Sequence, residues 1–171
     1  MIKKSFKNVF VTVGTTQFDE LVRAVISNDV LEQLVNLGCE TLTIQFGKGL
    51  EPDLRNVNQR TTISVTGYSL KSNIADDISM ADLVISHAGA GSCIEVLEAG
   101  KALIVVVNET LMDNHQTELA ERLNKEKCLF YCTPDTLQST LVESDFSQLQ
   151  SLAPGALDSF VDHLDKFVGF K

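Results

Sequence analysis

Three features of the chain predict an α/β protein built on a doubly wound parallel sheet. Short apolar runs alternate with helix-periodic segments along the whole sequence. The runs are continuous in Val, Ile and Leu, as strands buried on both faces require. The stretch from Asp82 to Val107 reads as a complete strand, glycine turn, helix and strand, and the rest of the chain is organised around it.

Taken in order, Asn8 to Val13 is a first strand that ends at Gly14-Thr15-Thr16. Phe18, Leu21, Val22, Val25 and Ile26 follow at helical spacing, and Val30 to Leu37 extends or restarts that helix before Gly38. Thr41 to Phe46 is a second strand, and the polar stretch from Gly47 to Gln59 reads as an exposed loop. Thr61 to Thr66 is a third strand with a turn at Gly67-Tyr68, and Ser69 to Met80 a helix with Leu70, Ile74 and Ile78 on one face. Leu83-Val84-Ile85 makes the central strand, Cys93 to Ala99 its helix, Gly100 the cap, and Ala102 to Val107 the next strand. Asp113 suits the N-cap of a helix from Asn114 to Lys125, and Lys127 to Tyr131 is a sixth strand. Pro134 opens a short helix through Val142, and Ser144 to Pro154 is irregular. Leu157, Phe160, Val161, Leu164, Phe167 and Val168 give residues 155–170 an amphipathic helical pattern. The 171 residues are expected to form a single domain.

Composition narrows the function. A formal net charge of -9, 6% aromatic residues and no Trp argue against a nucleic-acid partner. The N-terminal apolar run is too short for a signal peptide, and no stretch approaches the ~18 apolar residues of a membrane span. A membrane role would need an anchored partner. Cys39, Cys93, Cys128 and Cys132 lack metal or disulfide-framework spacing. Cys128 and Cys132 are expected on one strand, pointing to one face, in a reducing, cytosolic protein.

A parallel sheet binds ligands beyond the C-terminal ends of its strands, at the switch in strand order. Gly14-Thr15-Thr16, Tyr68, His87 to Ser92 and Asn108 to Gln116 are all expected on that edge. Ala88-Gly89-Ala90-Gly91-Ser92 feeds a helix N-terminus, whose N–H groups and dipole suit a phosphate. Glu95, one turn in, can accept from a sugar hydroxyl, or simply be an acid in a first turn. His87 can be a packed strand-end histidine or face the ligand. Gly14-Thr15-Thr16 on its own reads as an ordinary turn with a Thr N-cap. Asp113-Asn114-His115-Gln116 is either a capped, solvated helix start or a hydroxyl-binding cluster. Neither G-x-G-x-x-G nor a P-loop lysine is present, so dinucleotide binding and triphosphate hydrolysis are disfavoured.

FVTVGTT at 10–16, DLVISHAGAGS at 82–92, Glu95 and LMDNHQ at 111–116 together resemble one family closely. It is the catalytic subunit of the UDP-N-acetylglucosamine transferase that adds the second sugar to dolichol-diphosphate-GlcNAc. Its wider kin are the bacterial peptidoglycan GlcNAc transferase and other GT-B glycosyltransferases. The resemblance implies a Rossmann-like fold equivalent to the C-terminal, donor-binding half of a GT-B enzyme. By position, Gly14, Thr15 and Thr16 would border the diphosphate, and Ala88, Gly89, Ala90, Gly91 and Ser92 would hold its oxygens. Glu95 would receive the ribose hydroxyls, and His115 and Gln116, with Asn114 nearby, the GlcNAc hydroxyls. Tyr68 to Leu70 falls where uracil contacts belong, and His87 where a relative has a basic residue facing phosphate. Among these, His87 and Glu95 are the candidates for a catalytic role.

The resemblance further implies inverting transfer from UDP-GlcNAc to dolichol-linked GlcNAc without a cofactor or metal. It places the chain in the cytoplasm and at the cytosolic face of the endoplasmic reticulum, beside a membrane-anchored acceptor-binding subunit that supplies the general base. Residues 155–170 either dock that partner or pack on their own sheet. Two other functions stay open at this point: a nucleotide-sugar-binding or regulatory subunit without turnover, and an epimerase of UDP-GlcNAc.

Overall fold

In the structure, a computed structural model, residues 5–110, 114–151 and 162 are described, without the side chains of 114–116. Six strands run parallel: β1 (Asn8–Thr12), β2 (Thr41–Gln45), β3 (Ser64–Tyr68), β4 (Leu83–His87), β5 (Ala102–Val106) and β6 (Phe130–Cys132). They lie in the order β3-β2-β1-β4-β5-β6, so the direction of winding reverses between β1 and β4. The expected doubly wound sheet is the observed one.

Two apolar layers hold it. Val9 and Val11 of β1, Leu83 and Ile85 of β4, and Ile104 of β5 face one layer. That layer is completed by α1 (Asp19–Val25), α2 (Asn28–Asn36), α3 (Leu54–Arg60) and α7 (Leu137–Glu143). Phe10, Val84, Leu103 and Val105 face the other, under α4 (Ala75–Met80), α5 (Ala90–Glu98) and α6 (Asn114–Lys125). Central strands thus meet apolar neighbours on both sides, which is why their sequence is continuously hydrophobic.

The outer half of the sheet differs. Leu42, Ile44 and Val65 are buried on one face only. On the opposite face, Thr41, Thr43, Ser64 and Thr66 line a groove of ≈ 490 Å³ beside α4. Six residues make a helix only ~9 Å long, too short to cover two strands. At the sheet's edge, Asn58 of α3 turns its amide onto β3, donating to the Val65 carbonyl at 2.9 Å and accepting from the Val65 N–H at 2.9 Å.

Several expected boundaries move. The loop from Gly47 to Gln59 contains α3, because Asp53 accepts from the Asn56 N–H at 3.2 Å and caps a helix there. The third strand starts at Ser64, since Thr61 folds into a turn with the Ile63 N–H. Gly67 and Tyr68 are not a turn: they pair with Ile44 and Gln45. The helix expected from Ser69 begins only at Ala75, whose N–H is taken by Asn73 Oδ1 at 2.8 Å, and Leu70 is exposed. Cys128 and Cys132 do not share a face. Lys127, at φ 60, turns the chain ahead of β6, so Cys128 lies in the α6 layer and Cys132 in the α7 layer. The calls on Asp113 and on residues 155–170 lie outside the described residues.

Candidate functional site

The winding reversal leaves a cleft of ≈ 320 Å³ beyond the C-terminal ends of β1 and β4. Gly14 and Thr15 line it from the turn after β1, and His87, Gly89, Gly91, Ser92 and Glu95 from the turn and helix after β4. Gln45 from the end of β2 and Lys71 to Ile74 complete the wall.

The N-terminus of α5 is the polar centre of this wall. Its N-cap is Gly89, which offers no side-chain acceptor, and the helix begins at Ala90, three residues earlier than expected. The N–H groups of Ala90, Gly91 and Ser92 find no acceptor among the described residues. Unsatisfied donors at the positive end of a helix dipole attract an anion. Ala88 is buried under the helix and does not line the cleft; its part is to fix the turn. Glu95 is solvent-exposed, one turn along the same helix, and its carboxylate has no partner among the described residues. It is placed to accept hydroxyl groups of a ligand held at the helix end.

His87 is clamped between two glycines. A Cβ on Gly14 would lie 2.7 Å from the imidazole Nε2, and one on Gly89 would overlap Nε2 and Cε1. Gly14 also has φ +64, a conformation that side chains disfavour. Burial lowers the His87 pKa to about 4, so the ring is neutral at pH 7. It can offer a phosphate one N–H, not a charge.

The turn after β1 is largely self-satisfied. Thr12 Oγ1 accepts from the Gly14 N–H at 3.0 Å and donates to Gln45 Oε1. Thr16 Oγ1 donates to the Val13 carbonyl at 2.8 Å, so it caps no helix: the N-cap of α1 is Phe18, without a side-chain bond. Only Gly14 and Thr15 reach the cleft. Tyr68 is engaged elsewhere, donating its hydroxyl to Asp77 Oδ2 at 2.6 Å, and burial and that carboxylate raise its pKa. It stands behind the wall. Asn114, His115 and Gln116 begin α6, as expected, but their side chains lie outside the described residues.

Sequence reasoning missed Gln45, Lys71, Ser72, Asn73 and Ile74. Reading residues 69–80 as one helix hid the last four; Asn73, whose side chain accepts from the Ala75 N–H two residues on in an Asx turn, was the signal for a later helix start. Among the described residues no cluster of three or more His, Cys, Asp or Glu could hold a metal. No described helix is long and apolar enough to cross a membrane. All four cysteines are buried, and burial pushes the thiols of Cys39, Cys93 and Cys132 up to about 12.

Residues 8–165 match the family model described as the glycosyltransferase family 28 C-terminal domain. The chain belongs to this family. As a family 28 domain it is 54% identical over 127 residues to a mouse protein named UDP-N-acetylglucosamine transferase subunit ALG13. That match covers 74% of this chain and 11% of the mouse protein. The Saccharomyces cerevisiae protein of the same name is 30% identical, across 86% of this chain and 88% of its own length. The chain therefore corresponds to about a tenth of the mouse relative and to most of the yeast one. A solution NMR structure of ALG13 superposes with TM-score 0.73 at 28% identity, covering 94% of this chain and 96% of that one. Acinetobacter baumannii MurG, at 21% identity, shares the fold with TM-score 0.62, over 97% of this chain and 51% of its own. The family 28 domain is thus a GT-B-type, Rossmann-like half, as the resemblance implied.

Proposed function

We propose that this domain is the donor-binding half of a two-subunit inverting enzyme. It would transfer GlcNAc from UDP-GlcNAc to GlcNAc-diphosphodolichol. The observation that carries the reading is the uncapped α5 N-terminus with Glu95 one turn away, at the switch point of a family 28 domain. Diphosphate oxygens accept from the N–H groups of Ala90 to Ser92, and Glu95 accepts the ribose hydroxyls. The resemblance assigns the sugar hydroxyls to Asn114, His115 and Gln116 at the start of α6. Relatives named as transferase subunits support a partner-dependent role.

The chemistry supports dividing the work. As UDP departs, charge builds on the diphosphate, where helix donors aimed in advance favour it without a metal. Among the described residues of this wall, neither candidate suits deprotonation of the acceptor hydroxyl. His87, with a pKa of about 4, is too weak a base, and Glu95 is committed to ribose. The base would come from a membrane-anchored acceptor-binding subunit, which would also hold this acidic chain at the cytosolic face of the endoplasmic reticulum.

Co-expression with a candidate anchored subunit, then assay of chitobiosyl-lipid formation from UDP-GlcNAc, tests the reading. Product that depends on both chains is expected. UDP-GlcNAc binding with no product even from the complex would instead favour a binding subunit without turnover. Release of UDP and free sugar from UDP-GlcNAc alone would favour an epimerase.

A further inference from the structure

The segment after β3 carries a cluster for which the donor-site reading has no role. Lys71 Nζ lies 3.1 Å from Asp77 Oδ2 and 3.3 Å from Oδ1. Tyr68 donates to the same Oδ2 at 2.6 Å, and the ammonium sits 4.2 Å from the Tyr68 ring centroid. The two partners of the ion pair face different spaces. Asp77 is 9% exposed and lines the groove beside α4, whereas the Lys71 side chain is 45% exposed and lines the switch-point cleft. Among the described residues lining the cleft, Lys71 is the one cation, since His87 is neutral.

Geometry makes this lysine exchangeable. Its ammonium is a compact charge on a flexible four-carbon stem, so it can turn toward a new anion without moving the backbone. Taking the charge away from a buried carboxylate is normally expensive, because nothing else satisfies it. Here Tyr68 stays hydrogen-bonded to Asp77 when the lysine leaves. A diphosphate also carries more charge than one carboxylate, and a lysine contact with it is charge-assisted.

We propose that Lys71 is a donor-binding residue whose ammonium exchanges between the Asp77 carboxylate and the diphosphate of the nucleotide sugar. The proposal rests on the donor-site reading and adds to it the cation that the helix dipole alone does not supply. It also gives Asp77 and Tyr68 a purpose. They park the charge at the rim of the site, and Asp77 competes with the ligand for it.

Titration of the full chain with UDP and with uridine tests this. Lys71→Gln is expected to weaken UDP binding by about tenfold and leave uridine binding unchanged. It should also flatten the salt dependence of UDP affinity, because one charge contact is gone. Lys71→Arg should retain most of the UDP affinity. Asp77→Asn, which keeps an acceptor for Tyr68, should tighten UDP binding. Unchanged UDP affinity in Lys71→Gln would overturn the proposal. So would equal losses for UDP and uridine, which would mean that Lys71 merely holds the 69–74 segment. Weaker UDP binding in Asp77→Asn would overturn the competition. A wild-type chain that binds neither UDP nor uridine would defeat the donor-site reading itself. One that binds uridine no more weakly than UDP would defeat only the role of the charge.

Discussion

The two turns that meet at the winding reversal have opposite economies of hydrogen bonding. After β1, hydroxyls and carbonyls satisfy one another: Thr12 holds the Gly14 N–H, and Thr16 returns to Val13. After β4, Gly89 caps α5 with no side chain, and the N–H groups of Ala90, Gly91 and Ser92 find no acceptor among the described residues. Ser27 and Asp53 cap α2 and α3 with their own oxygens, whereas α1, α4 and α7, like α5, have no side-chain cap. Open donors at the positive end of a helix dipole favour an anion there. The first turn satisfies itself, and the second offers the donors on which the proposed site rests.

The largest expected effect comes from breaking the second turn. Gly89→Ala would drive a methyl group into the His87 ring and displace the α5 N-terminus. UDP affinity should fall by roughly 100-fold, the equivalent of losing two charge-assisted hydrogen bonds; calorimetric titration would measure it, and near-normal affinity would refute the geometry. Glu95→Ala should reduce UDP-GlcNAc use by the reconstituted pair by ~10-fold or more, without lowering the melting temperature, because the side chain is exposed. Wild-type kinetics would remove Glu95 from the site.

Acid should affect the second turn through His87. Its pKa falls from 6.5 to about 4 on folding, so the unfolded chain binds the extra proton between those values. Stability contributed by the neutral ring is present above pH 6.5 and lost as pH drops toward 4, by about 3 kcal/mol. Urea unfolding of wild type and His87→Asn at pH 7.5 and pH 4.5 would reveal it as a smaller acid loss in the variant. The smallest effects sharpen the contrast. Thr16→Ala should lower stability by ~0.5–1 kcal/mol and leave UDP affinity alone, since its hydroxyl serves only its own turn. Gly91→Ala, where a Cβ meets nothing within 4 Å, should raise stability by ~0.5–1 kcal/mol. Any fall in its UDP affinity would then report ligand contact directly.

The sheet and the central unit were legible because their signals are local. Leu83-Val84-Ile85 and Ala102 to Val107 are buried on both faces, so their composition announces a strand without reference to neighbours. The glycine turn ahead of α5 was equally legible, since glycines directly after an apolar strand announce a strand-to-helix turn. Errors fell where a tertiary partner decides the outcome. Gly67 and Tyr68 look like a turn until β2 is there to pair with them. Helix α3 emerges from a polar stretch because one aspartate caps it and Val57, with the partly buried Leu54, anchors it in the core. Lys71 could not be assigned to the cleft from spacing, as its position depends on Asp77 and on a helix that starts late. Thr15 lines the cleft, while Thr16 and Tyr68, expected beside it, make hydrogen bonds to Val13 and Asp77 that spacing alone does not show.

The Asn58 amide on Val65 has a bearing on assembly. An outer strand of a sheet is a template, and any extended chain with free donors and acceptors can add to it. Asn58 imitates one rung of such an incoming strand, supplying both the donor and the acceptor that a real neighbour would. Continuation of the sheet is thereby stopped at β3 by a side chain the protein carries itself. An extended chain laid along β3 would have to displace this amide before it could pair with Val65.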